Sequence, residues 1–192
     1  QALAQFHRRE PLRAFVPLNL VIGAAAPAVK QREGLRLALE ALVRQGMVVS
    51  TGDRMRLVGH QPQWSGPFAA AREKILDEIL RSGLAVPSPG ELAAAAGLEE
   101  KDCQRVLEAL VEAGELQPLG SDIYLHPQVF TNSRAAVVEY LRQNQKMNIA
   151  AARDLLNASR KYLLPFLEQL DREGVTRREG DYRVLVGKNL AN

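Results

Sequence analysis

The pattern Leu-Glu-x-Leu occurs three times without a gap, as Leu39-Glu40-Ala41-Leu42, Leu107-Glu108-Ala109-Leu110 and Leu167-Glu168-Gln169-Leu170. Gly46, Gly114 or Gly174 stands four residues after each final Leu. Gly52, Gly120 or Gly180 comes six later, and Leu57, Leu125 or Leu185 five after that. Identical spacing over 19 residues divides the chain into repeats before any finer reading. Each repeat predicts an amphipathic helix, a glycine stop, a strand, a glycine-containing turn and a second strand. Repeats about 60 to 70 residues apart in a chain of 192 predict three small units, 1–59, 60–130 and 131–192. Units of this size bury only about 60% of their unfolded surface and are marginal alone, so they are expected to lean on one another.

Units two and three align at a constant offset of 60. Ser88 falls on Asn148, and both are good helix N-caps. Pro89 suits the first helical position and Glu91 completes a capping box. Gly97 falls on Asn157, and both tolerate the left-handed conformation that ends a helix. Short helices are thus predicted over 89–96 and 149–156. After a tight turn, longer helices run from near Glu99 to Gly114 and from near Ser159 to Gly174. Cys103, Val106, Leu107, Leu110 and Val111 give the first its buried face, and Leu163, Phe166, Leu167 and Leu170 the second. Pro165 lies past the free first turn of its helix, where a kink is expected. Preceding helices are predicted over Gly66–Ser82, with Ile75, Leu76 and Ile79 inward, and over Ser133–Asn144, with Val137, Val138 and Leu141 inward. In unit one the expectation is a helix over Gln1–Arg9, a loop over Pro11–Pro17, a short helix within Val16–Val29 and a long helix over Gln31–Gln45. Gln61–Pro67 reads as a linker, whereas the boundary near His126-Pro127 leaves little slack. Helix-turn-helix followed by a two-stranded hairpin is the winged-helix plan. The fold class is mostly α with small β-hairpins (α+β), as tandem winged-helix domains.

The single cysteine, Cys103, excludes an intramolecular disulfide and a thiol-based zinc site. On its helix face it reads as a small buried apolar residue rather than a nucleophile. His7, His60 and His126 lack ligand-like spacing, and His126 reads as a strand-end residue. The start lacks the charged region and apolar run of a signal peptide. No apolar run approaches the roughly 20 residues of a membrane span. These features favour a reducing, cytoplasmic setting with no membrane partner. The chain does not begin with Met, which suggests a fragment of a larger parent. No carboxylate pair, nucleophile–base set or metal cluster emerges, so neither catalysis nor a cofactor is expected of this chain.

Charge is segregated although the net is only +3. Unit one has nine Lys/Arg against four Asp/Glu (+5), unit two five against eleven (−6) and unit three eleven against seven (+4). Such asymmetry suggests different partners for different units. At the start of the long helix, unit two carries Glu99, Glu100 and Asp102, which suit the helix dipole. Unit three carries Arg160 and Lys161, each unfavourable there by about 0.3–1 kcal/mol. A phosphate at that place would reverse the sign. The hairpin repeats the contrast: unit three carries Arg177, Arg178 and Arg183 with Tyr182 between them, suited to phosphate contact and stacking on an unpaired base. Arg153 and Arg172 lie nearby in sequence and extend the patch. For the hairpin alone a merely solvated basic face stays open, and Tyr182 and Tyr162 suit packing as well as stacking. Arg54 and Arg56 in unit one form a lesser candidate, for RNA or for another part of the parent.

The run from Asn157-Ala158-Ser159-Arg160-Lys161-Tyr162 through Pro165, Phe166 and Gly174 to Arg183-Val184-Leu185 closely resembles the end of the bacterial selenocysteine-specific elongation factors. Phe6-His7-Arg8-Arg9-Glu10-Pro11-Leu12-Arg13 is similar to the start of that family's C-terminal extension, and Phe15–Val29 departs from it. The resemblance implies a tail of winged-helix domains on a GTP-binding translation factor. It implies that the last domain binds a messenger-RNA hairpin, the selenocysteine insertion sequence, and so tethers selenocysteinyl-tRNA at the ribosome beside a UGA codon. It implies RNA contact for Ser159, Arg160, Lys161, Arg177, Arg178 and Arg183. No G-x-x-x-x-G-K-[ST] occurs here, so the ribosome, the tRNA and GTP would be met through the parent's other part. The chain itself is expected to be a monomer without catalytic activity. A tandem winged-helix DNA-binding regulator and a protein-interaction scaffold are the competing readings. Against the first, Leu164, Glu168 and Asp171 on the exposed helix face are poor readers of base edges.

Overall fold

The computed structural model describes residues 1–25, 32–120 and 122–187. Pro27 and Val29, the predicted helix start at Gln31, Ser121 and Lys188 lie outside the described residues. Unit one comprises α1 (Ala2–Arg9), β1 (Val16–Pro17), α2 (Leu18–Ala25), α3 (Arg32–Arg44), β2 (Val48–Thr51) and β3 (Arg54–Leu57). β2 and β3 pair antiparallel from Val48↔Leu57 to Thr51↔Arg54 around Gly52, whose φ of 59° suits the tight turn. β1 adds a third strand through Val16↔Met55.

Unit two comprises α4 (Pro67–Ser82), α5 (Pro89–Ala96), α6 (Glu100–Glu112), β4 (Gln117–Pro118) and β5 (Tyr124–Leu125). The Ser88 backbone N–H donates to Glu91 Oε2 at 2.8 Å while the Ser88 hydroxyl accepts the Glu91 N–H at 3.4 Å. Gly97, at φ 72°, then ends α5. Unit three comprises α7 (Pro127–Asn144), β6 (Met147–Asn148), α8 (Ile149–Leu156), α9 (Arg160–Arg172), β7 (Thr176–Glu179) and β8 (Tyr182–Leu185). Its sheet has the order β6-β8-β7, matching β1-β3-β2 of unit one. α9 runs unbroken through Pro165.

Two features differ from expectation. β1 and β6 lie where no strand is predicted, because two residues carry no alternation to read. α7 begins at Pro127 rather than near Ser133. His126 is its N-cap, not a strand-end residue, with Nδ1 accepting the Gln128 N–H at 3.2 Å. The extra turns bury Phe130, which meets Phe166 edge-on at 5.4 Å between ring centroids. Position 130 therefore falls inside a helix.

One cluster of buried side chains joins units two and three, including Ile75, Ile79, Leu107, Leu110, Val137, Leu141, Phe166 and Leu170. Unit one has a separate core of Leu3, Val16, Val21, Leu35, Leu39, Val48 and Met55. It meets unit two through Leu12, which is buried in the shared cluster, and at Glu112, in the last turn of α6. The Glu112 carboxylate accepts the Ala14 and Phe15 N–H groups at 3.0 and 3.3 Å and pairs with Arg54 Nη1 at 3.3 Å. A carboxylate at a helix C-terminus opposes the dipole, so helix stability alone would not place it there. Glu112→Ala is expected to remove about 1–3 kcal/mol by stranding these donors. Hydrogen exchange at the Ala14 and Phe15 amides should then accelerate by roughly five- to a hundredfold.

The His7 ring, on the inner face of α1, stacks on His60 with centroids 3.5 Å apart, and neither of its nitrogens has a hydrogen-bond partner among the described residues. Burial, then His60, then Arg56 lower its pKa from 6.5 to about 4. Between about pH 6.5 and 4 the folded state therefore holds His7 neutral while the unfolded chain protonates it. The stability of unit one should be full above pH 6.5 and decline as pH falls toward 4. Denaturant titrations between pH 7 and pH 4 should show this decline, and His7→Phe should flatten it.

Candidate nucleic-acid interface

The helix start that distinguishes unit three is built by its neighbours. Asn157 ends α8 in the left-handed conformation (φ 46°), and the chain re-enters helix after two residues with Ser159 as N-cap. The Ser159 side chain makes no capping hydrogen bond, and the first turn of α9 contains no acid. In α6 the same turn holds Glu100 and Asp102. Arg160 and Lys161 are exposed. Arg160 has no ion pair among the described residues, and Lys161 Nζ lies 5.1 Å from the Tyr162 ring centroid. Unit two contributes one acid here: the Glu91 carboxyl is held below its usual range, first by the Ser88 N–H, then by the Ser88 hydroxyl, and least by the charge of Lys161.

The β7–β8 hairpin presents its cations unequally. Arg177 and Arg178 are exposed. Arg177 Nε donates to Glu179 Oε1 and Arg178 Nε to the Gly180 carbonyl, each at 2.9 Å. Arg183 differs from expectation. It is only 8% exposed, and its Nε donates to Asp171 Oδ2 at 3.0 Å. The Thr176 hydroxyl donates to the other Asp171 oxygen at 2.6 Å. Alternation along β8 places Arg183 on the same face as buried Leu185. This arginine fixes the hairpin to α9 and is not part of the exposed patch.

Tyr182 is 39% exposed, with Lys146 Nζ 4.6 Å from its ring centroid. Lys146 reaches the hairpin because β6 pairs with β8, at Asn148↔Tyr182, a placement that no local sequence pattern announces. Arg153, on α8, pairs with its neighbour Asp154 at 3.2 Å. Arg172 is exposed, but at the far end of α9, about 18 Å from Arg160 along the helix axis. The exposed cations of α9 thus fall into two groups. Burial, then Glu100, pushes the Cys103 thiol up to about 11, so it is not a thiolate at neutral pH. Among the described residues no helix is long and apolar enough to cross a membrane, and no group of three or more His, Cys, Asp or Glu could hold a metal ion.

This arrangement is that of a tandem winged-helix protein with a basic terminal unit. Residues 139–185 match the family model for the winged helix of elongation factor SelB, and the chain resembles the C-terminal winged-helix region of bacterial selenocysteine-specific elongation factors. It is 28% identical over 181 residues to the selenocysteine-specific elongation factor of Desulfomicrobium baculatum, covering 94% of this chain and 28% of that protein. It is 20% identical over 152 residues to the factor of Haemophilus influenzae, covering 79% of this chain and 25% of that one. The chain thus spans about a quarter of the length of these relatives. Among solved structures, the mRNA-binding domain of E. coli SelB in complex with SECIS RNA matches with TM-score 0.50 and 21% identity, over 62% of this chain and 99% of that one. Bacterial elongation factor EF-Sec matches with TM-score 0.57 and 18% identity, over 95% of this chain and 28% of that one.

Proposed function

We propose that this chain is the mRNA-binding region of a selenocysteine-specific elongation factor and grips the selenocysteine insertion sequence hairpin through unit three. The observation that carries this reading is the acid-free start of α9, where exposed Arg160 and Lys161 stand at the positive end of the helix dipole. Folding disfavours that placement and a bound phosphate favours it. Ser159 and the free N–H groups of the first turn would share the phosphate. Arg177 and Arg178 would hold a second stretch of backbone, and Tyr182 would stack on an unpaired loop base. Lys146 and Arg153 would widen the field, with Arg172 as an outlying contact. Arg183 would act indirectly, by positioning the hairpin.

Unit two, at −6, is repelled by RNA and would serve with unit one as a spacer. GTP binding, and the meeting with selenocysteinyl-tRNA and the ribosome in the cytoplasm, would belong to the remainder of the parent. The chain would act as a monomer carrying no cofactor. Titration of the chain against labelled RNA stem-loops and against duplex DNA of equal length tests this at fixed salt. The reading requires tighter binding to a stem-loop with unpaired loop bases, and preference for duplex DNA would overturn it. Point variants serve better than truncation at 131, which would cut α7 and open the core shared with unit two.

A further inference from the structure

Part of the junction between units one and two is a cleft. Glu108, Val111 and Glu112 of α6, with Pro118 of β4 and Tyr124 of β5, form one wall, and Arg13, Phe15, Pro17 and Arg54 face them. The offset of 68 residues between the first two Leu-Glu-Ala-Leu segments carries Glu108, Val111, Glu112 and Pro118 onto Glu40, Val43, Arg44 and Ser50. Those four residues line an open groove of about 640 Å³ on unit one, between α3 and the β2–β3 hairpin. Its remaining lining is Leu18, Leu39, Met55 and Arg36. The chain therefore carries two copies of one surface: unit one faces the first across a cleft and touches it at Glu112, and among the described residues nothing faces the second.

The copies differ in charge. Glu112 is replaced by Arg44 and Gln104 by Arg36, and both arginines are exposed without an ion pair among the described residues. Glu112 accepts the Ala14 and Phe15 N–H groups. Arg44 can only donate, so an occupant of the second copy must bring acceptors. Val43, Leu18, Leu39 and Met55 give the groove an apolar wall.

We infer that this groove is a docking surface for a protein segment that sets a carboxylate beside an aromatic residue and a proline, the charge-reversed counterpart of the Arg13–Pro17 segment. Nucleic acid fits it less well, because the wall is apolar and Glu40 stands between the two arginines. The inference does not rest on RNA binding by unit three.

The probe is a fluorescein-labelled peptide of residues 11–18 carrying Arg13→Glu, titrated with the full chain. Saturable anisotropy is expected, with amide shift changes at Leu39, Val43 and Ser50. Arg44→Glu, an exposed change that leaves the core intact, should weaken binding at least tenfold, and the peptide retaining Arg13 should then prefer the Arg44→Glu chain. Failure to saturate, or affinity indifferent to Arg44→Glu, overturns the inference. So would shifts at those three amides produced by hairpin RNA and not by the peptide, which would assign the groove to nucleic acid.

Discussion

A chain in which Arg160, Lys161, Arg177 and Arg178 are all replaced by alanine is expected to lose about three orders of magnitude in affinity for a hairpin RNA near 0.1 M salt. The magnitude follows from counterion release. Each neutralised phosphate contributes about 0.7–0.9 to the slope of log K against log salt, so four lost contacts lower the slope by about 3 to 4. Extrapolated from 1 M, a slope lower by 3 is a thousandfold at 0.1 M. Anisotropy titrations at several salt concentrations separate this from a loss of shape recognition, which would leave the slope unchanged. Lys101→Ala is the matched control: it is exposed, and it occupies in α6 the place of Lys161 in α9 at the offset of 60. It should leave both affinity and slope where they were. The same four substitutions should not destabilise the fold. Removing Arg160 and Lys161 relieves an unfavourable dipole interaction of about 0.3–1 kcal/mol each, so the melting temperature should hold or rise. Weaker binding together with equal or greater stability is what a site evolved against its own helix dipole must show. An unchanged salt slope would refute the assignment.

The repeats were legible because each rests on chemistry confined to a few residues. Ser88 and Glu91 form their capping box within one turn, and Gly97 and Asn157 end helices through their own backbone preference. Period 3.6 likewise exposed the inward faces of α6 and α9. Tertiary relations were not legible. The first turns of α7 read as polar chain because Thr131, Asn132 and Ser133 interrupt the apolar period. Phe130 becomes informative only once Phe166 is known to lie across from it. Separate inward faces on the two units do not reveal that they close on each other into one core.

The candidate site was legible in the same measure. Arg160 stands out by comparison with Glu100 at the matched helix start, whereas Lys161 has Lys101 as its counterpart and gains its meaning from the absence of acid in the first turn of α9. Three arginines on one hairpin suggest a basic face, which groups Arg183 with its exposed neighbours. Period two along β8 pairs it with Leu185, and Asp171 supplies the carboxylate that lets a guanidinium lie inside. That partner is 12 residues away, beyond any local pattern. Lys146 reaches Tyr182 only through pairing between β6 and β8, which two residues cannot announce in advance.

Phe166→Ala is expected to cost about 3–5 kcal/mol, since the ring is fully buried and its removal leaves a cavity. Loss of the edge-on contact with Phe130 falls within that range. The informative quantity is where the loss is felt. Phe166 belongs to α9 of unit three, whereas Trp64, the sole tryptophan, lies before α4 and packs against the shared core beneath the Arg72 guanidinium. If units two and three unfold as one body, Trp64 fluorescence and far-ultraviolet circular dichroism should move together to lower denaturant by the full amount. Separate folding of the units would leave the Trp64 transition in place while the helical signal split. The distinction matters for the proposed function. A shared core ties α9 and its cations to unit two, so that a pull on RNA held there, as proposed, would be delivered as far as Glu112. From there the contacts of Glu112 with Ala14, Phe15 and Arg54, and the burial of Leu12 in the core of units two and three, lead into unit one.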